Sequence, residues 1–211
     1  MGGWTPGGGV ARLPCTMSGT PRIVSFRQMK DGTREDYQLL DEAEKRYALG
    51  LADRVLQALG KLDHSLAGYP VSRLGHSLQA ATRALRDQAD AELVVAALLH
   101  DLGDELAPYN HAEFAASILR PYVRPEVTWI VHHHGLFQNY YYVHHFGGDR
   151  HARDRLRGHP WYEATVHFCA AWDQSSFDPD YACEPLATFE PMVRAVFARE
   201  PHDPRYLKAE S

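Results

Sequence analysis

The sequence is poor in cysteine. Its 211 residues include three, Cys15, Cys169 and Cys183, and no two stand at CxxC spacing. A disulfide framework or thiolate metal site is therefore not expected, and free thiols in a cytoplasmic protein are. Long apolar runs are lacking too: none approaches the ~18–20 residues of a membrane span. An excess of positive charge is missing. The formal net charge is −5, which argues against broad nucleic-acid binding, because that needs a basic face. Alternating strand patterns are nearly absent, so an all-α fold is expected.

What remains suits one ordinary domain, with a hydrophobic fraction of 45% that allows a sizeable core. Gly2, Gly3, Gly7, Gly8, Gly9, Pro6 and Pro14 mark residues 1–21 as a disordered tail without the charged start and apolar stretch of a secretory signal. Patterned sequence begins near Arg22, so Met17 is a candidate physiological start. Residues 22–200 read as the single domain and 201–211 as a C-terminal tail, with no internal repeat.

Arg22–Phe26 reads as an extended lead-in. Apolar residues then recur at helical spacing from Arg34 to Leu59, where Gly60 is the expected stop. Val71–Gln88 forms a second helix with Val71, Leu74, Leu78, Ala81 and Leu85 on one stripe and Ser72, His76, Gln79 and Arg83 opposite. Ala91–Leu102 is apolar nearly all round and belongs in the middle of the core, with Asp90 as N-cap and Gly103 as stop. Further helices are expected at His111–Leu119, Glu126–His134, Trp161–Gln174 and Phe189–Phe197, with a loop from Phe137 to Gly148.

Histidine is abundant. There are thirteen, and most fall between His76 and His167. His100-Asp101 ends the most apolar helix, where an ionised carboxylate is costly unless paired or metal-bound. Each histidine has a bland reading on its own. His76 suits a solvated helix face, and the His132-His133-His134 run suits a helix end complementing its dipole.

Taken together, the order His76, His100-Asp101, His111, His134 and Asp173 resembles the HD superfamily, over nearly everything from Tyr69 to Asp173. The resemblance implies an all-α, HD-domain helical bundle. It makes His76, His100, Asp101 and Asp173 core metal ligands and adds a second metal through His111 and one of the terminal histidines, His134 in preference to His133, with Asp101 bridging the ions. Four imidazoles and two carboxylates suit iron, manganese, cobalt or another divalent metal.

Within that superfamily, His76-Ser77-Leu78-Gln79, His100-Asp101-Leu102-Gly103, Asn110-His111 and Trp172-Asp173 resemble the branch with a mixed-valence Fe(II)/Fe(III) centre. That branch includes myo-inositol oxygenase and the hydroxyphosphonate dioxygenases that form glycine or glycine betaine. There are departures: Asp104 stands where the glycine-forming enzymes have a substrate-contacting histidine, and Tyr69 lies seven residues before His76, displaced from the capping tyrosine's place.

The resemblance implies an enzyme that uses dioxygen to cleave the carbon–phosphorus bond of a small 1-hydroxyphosphonate, giving a carboxylate and phosphate. A metal-dependent phosphohydrolase acting on a phosphate ester or nucleotide is the alternative. A binding protein on a decayed scaffold is a third reading, which the complete ligand set disfavours. Candidate catalytic or substrate-binding residues are Tyr69, Gln79, Asp104, His133, Gln138, Tyr141 and His159, with Gln79 and Asn110 orienting ligands. Asp104 and Glu105, together with Phe137, Tyr140, Tyr141, Tyr142 and Trp161, would suit a cationic, trimethylammonium-like head group. The expected partners are a small molecule and O2; the sequence leaves the oligomeric state open.

Overall fold

A computed structural model describes residues 22–202. Residues 1–21, with Cys15 and Met17, and residues 203–211 of the expected C-terminal tail lie outside the described residues. Chain contacts divide the molecule into two compact units, Met1–Arg46 and Tyr47–Ser211. The border falls within the first helix, α1 (Arg34–Leu49).

In the first unit, a short 3-10 turn at Met29–Asp31 precedes α1. Thr33 and Asp36 form a reciprocal cap. Thr33 N donates to Asp36 Oδ2 at 3.0 Å, and Asp36 N donates to Thr33 Oγ1 at 3.2 Å. The backbone N–H of Ser25 donates to Asp36 Oδ1 at 2.9 Å, tying the lead-in to the helix start. Four donors on one carboxylate, foremost the two backbone N–H groups, hold Asp36 down at about 2.

The second unit is helical throughout its regular elements. The helix expected to run unbroken from Arg34 to Leu59 is interrupted at Gly50, and α2 (Leu51–Lys61) begins anew. Gly60 lies inside α2 and does not stop it, because this turn meets no obligation to leave the helix. A 3-10 turn, Leu62–His64, leads to α3 (Arg73–Arg86), where Ser72 Oγ caps Gly75 N at 3.0 Å.

The central helix α4 (Ala91–Leu99) is buried on every side from Val94 to Leu99, as its all-round apolarity demands. Asp90 caps it by accepting from the N–H groups of Glu92 and Leu93 at 2.9 and 3.2 Å. Around it pack α3, α6 (Pro125–Tyr142) and α8 (Leu186–Phe197). The helix α5 (His111–Leu119) lies against α6. A Cβ at Gly135 would meet Ala112 Cβ and His111 Nε2 at 4.0 Å, ordinary van der Waals contact, so the approach does not depend on glycine.

Two boundaries differ from the sequence reading for physical reasons. The helix expected to end at His134 runs on to Tyr142, since Phe137 buries completely and Gln138 and Tyr141 follow it onto the inner stripe; the expected loop starts only after a 3-10 turn, Val143–Phe146. The stretch expected as one helix to Gln174 is α7 (Tyr162–His167) followed by a π-helical turn, Phe168–Asp173. Gln174 N bonds Cys169 O at 3.0 Å, and the wide turn buries two adjacent pairs, Phe168-Cys169 and Trp172-Asp173. No described helix is long and apolar enough to cross a membrane.

Candidate metal centre

Five elements send side chains to one buried point. His76 comes from α3, and His100 from the C-cap of α4 with Asp101 directly after it. His111 opens α5, His134 lies on α6, and Asp173 ends the π turn. Three groups among them can each hold an ion: His76, His100 and Asp173; His100, Asp101 and His134; and Asp101, Asp104 and His111. The stripe of α3 that reads as solvated is in fact buried, because the π turn covers it: His76 is 1% and Gln79 3% exposed.

The hydrogen bonds behind the rings decide what the front can bind. His76 Nδ1 lies 3.0 Å from Ser176 O, His100 Nδ1 2.8 Å from Ala97 O, and His134 Nδ1 2.6 Å from Val131 O. A carbonyl only accepts, so each Nδ1 carries the hydrogen and each Nε2 presents a lone pair to the centre. There His76 Nε2 is 3.1 Å from His100 Nε2, 3.2 Å from Asp101 Oδ2 and 3.3 Å from Asp173 Oδ1. Lone pairs facing lone pairs and carboxylates, with Asp173 Oδ2 buried and unpartnered, call for cations between them. The residues fit metal ions on that ground.

Asp101 divides its oxygens. Oδ2 faces His76 and His100, at 3.2 and 3.1 Å, while Oδ1 faces His134 and His111, at 3.3 and 3.5 Å. Burial alone would push His100 down, but the charges of Asp101 and Asp173 outweigh it and hold His100 well above the usual histidine range. Burial would likewise raise Asp101, yet His100 and Arg73 hold it well below the usual carboxylate range. Protons and metal ions therefore compete for the same positions.

Arg73 is the residue that sequence reasoning missed. Its Nη2 is ion-paired with Asp101, and its Nε bonds Asp104 Oδ2 at 2.6 Å. Asp104 thus does not stand free to receive a cationic head group. Its other oxygen lies 3.5 Å from His111 Nδ1, where it orients that ring. The signal was there as Arg73 three residues before His76, on the same helix.

The remaining candidates separate. Gln138 reaches the centre, donating from Nε2 to Asp173 Oδ1 at 3.0 Å. Gln79 instead clamps the backbone of Asp178 through Nε2 (2.7 Å) and Oε1 (3.3 Å); it holds the segment bearing Ser176 and not a ligand directly. The Asn110 side chain forms no cap bond at the start of α5. Tyr69 stacks on Phe177, which stacks on His76, so it approaches the site at one ring's remove.

His133 and His159 are turned away. They stack on Trp129 at 4.1 and 4.0 Å, and His133 Nδ1 bonds Trp129 O. Phe137, Trp161 and Tyr140 do not gather into the expected cage either. Phe137 enters the core, Trp161 packs on His159 and Trp129, and Tyr140 stacks under Arg150 and Arg153. Tyr141 is half-buried on the inner stripe, with Arg153 and Asp173 both acting on its phenol.

Residues 73–164, somewhat under half of the chain, match the model of the HD domain family. The match holds five of the six converging side chains and ends before Asp173. No curated protein matches the sequence.

Proposed function

From an HD domain whose histidines and aspartates converge on one buried point, we propose a two-metal enzyme in which Asp101 bridges the ions. One ion would be held by His76, His100 and Asp173 and the other by His111 and His134. The observation that carries this is the division of the Asp101 oxygens between two imidazole pairs. When bound as iron, the pair would supply Lewis acidity and electron transfer to dioxygen.

The reaction we favour takes a small 1-hydroxyphosphonate and one O2. The bond between C1 and phosphorus breaks, C1 leaves as a carboxylate, and phosphorus leaves as phosphate. His-Ser-Leu-Gln at residues 76–79 and the six-residue donor set support it. The chain's own part is positional. Arg73 balances Asp101 and Asp104, Gln138 fixes Asp173, and Asp104 sets the His111 ring. His111, at 27% side-chain exposure, is the least covered of the converging rings and marks the side from which substrate enters.

Protein purified anaerobically and analysed for metal, then by Mössbauer and EPR spectroscopy with and without a hydroxyphosphonate, tests the reading. Two irons per chain and O2-dependent phosphate release are expected. Turnover without O2 that releases an alcohol and phosphate would transfer the site to phosphate-ester hydrolysis.

A further inference from the structure

Among the described residues, one buried cation near the metal centre has no counter-charge. Arg153 is 9% exposed, and its Nε has no hydrogen-bond partner. Its partners are neutral: Nη1 makes a long bond of 3.5 Å to Phe137 O, and the guanidinium meets the Tyr141 hydroxyl. Arg150, three residues earlier, repeats the pattern with a buried, unpartnered Nε. Both guanidiniums rest on Tyr140, with their central carbons 4.0 Å (Arg153) and 4.2 Å (Arg150) from the ring centroid. Among the described residues neither arginine has a carboxylate within ion-pairing distance. Asp154, next to Arg153 in sequence, is engaged by Arg157 at 3.0 Å and by the Tyr162 hydroxyl, and Asp149, next to Arg150, accepts from the His151 N–H at 2.8 Å.

A buried guanidinium without an anion is costly, so Arg153, with the half-buried Arg150 on the same ring, forms an anion site waiting for its ligand. Their place in the fold says which ligand. Arg153 bonds the carbonyl of Phe137, one turn beyond His134 on α6, and the next residue, Gln138, holds Asp173.

We propose that Arg153, assisted by Arg150 on the same tyrosine ring, is the subsite that binds the phosphoryl or phosphonate group of the substrate. It rests on the reading of the metal centre given above. Paired planar forks suit a tetrahedral dianion better than a single carboxylate. In a chain of net charge −5, such a local excess of positive charge also concentrates anions where the chemistry is.

The test uses the full chain stripped by a chelator, so that metal ions cannot bind the probe, with inorganic phosphate titrated by calorimetry. The wild-type chain should bind phosphate at one site. Arg153→Gln should weaken it more than tenfold, Arg150→Gln several-fold, and Arg157→Gln not at all. Arg153→Lys, which keeps the charge without the fork, should fall between, and it decides the matter with Arg150→Gln if Arg153→Gln does not fold. Equal binding by wild type and the Arg150 and Arg153 variants, or phosphate binding only to metal-loaded protein, would overturn the subsite. Metal content of the untreated chain is read separately: a chain that takes up no metal sinks the two-metal reading and leaves the phosphate result standing.

Discussion

At the scale of single residues, Asp101 is the point on which the centre turns. Because its two oxygens face different imidazole pairs, Asp101→Ala should lose both metals, measured as metal per chain after purification. One tightly held ion remaining would show that it does not bridge. His111→Ala should empty chiefly one position and leave the other held by His76, His100 and Asp173. Asp104 calls for a different expectation from the one its sequence position suggests. Its charge is already met by Arg73, so Asp104→Asn should weaken ammonium-bearing and uncharged substrate analogues alike. A loss confined to the charged analogue, seen by calorimetry, would restore the cationic reading.

The six converging residues were legible through their order along the chain, which resembles the HD superfamily; taken singly, each histidine had a bland reading. Arg73, Ser176 and Phe177 were not legible. Ser176 acts through a backbone carbonyl, which no side-chain pattern records, and Phe177 sits in an irregular segment without periodicity. His159 illustrates the opposite failure. A histidine ring stacked on Trp129 with an interplanar angle of 2° reads no differently in sequence from one aimed at a metal.

At the scale of elements, helix existence followed from apolar spacing, while helix ends did not. The cap of α4 was visible as Asp90 before an apolar run, and its removal has a defined cost. Asp90→Ala deprives the N–H groups of Glu92 and Leu93 of their acceptor and Arg124 of a partner. A loss of about 1 kcal/mol in urea unfolding is expected, as for other caps. The π turn could not be read, since its composition is that of any buried helix and only the i→i−5 bond of Gln174 distinguishes it.

The start of α1 carries a pH prediction. Asp36 lies near 2 in the folded chain against an ordinary 3.8. A depressed carboxylate stabilises above its unfolded value, and that contribution disappears as pH falls through about 2. Protection of the Ser25 and Thr33 amides, measured against their intrinsic exchange rates, should therefore fall between about pH 4 and pH 2, whereas in Asp36→Asn it should be lost already at neutral pH. Exchange at these amides that ignores both changes would mean that the carboxylate does not anchor the lead-in.

At the scale of the molecule, the metal centre is also part of what holds the second unit together. It joins α3, α4, α5, α6 and the π turn at a point where apolar packing gives way to facing lone pairs and two buried carboxylates. Without cations, that region keeps Asp101 and Asp173 in low dielectric, with Arg73, Gln138 and the facing imidazoles as their partners, those of His76 and His100 drawn towards protonation. Metal binding replaces those protons and links five elements at once, so it should raise folding stability as any ligand specific to the native state does. At a free concentration one hundred times the dissociation constant the gain is ~2.7 kcal/mol per ion. For a chain of this size that amounts to a rise in Tm of roughly 5–10 °C per ion. Calorimetric scans of chelator-treated and iron- or manganese-loaded protein measure it directly. Because protons compete for the same nitrogens, the difference should shrink as pH is lowered. Identical scans with and without metal at neutral pH would mean that the cluster is satisfied by protons alone, and the two-metal reading would fall.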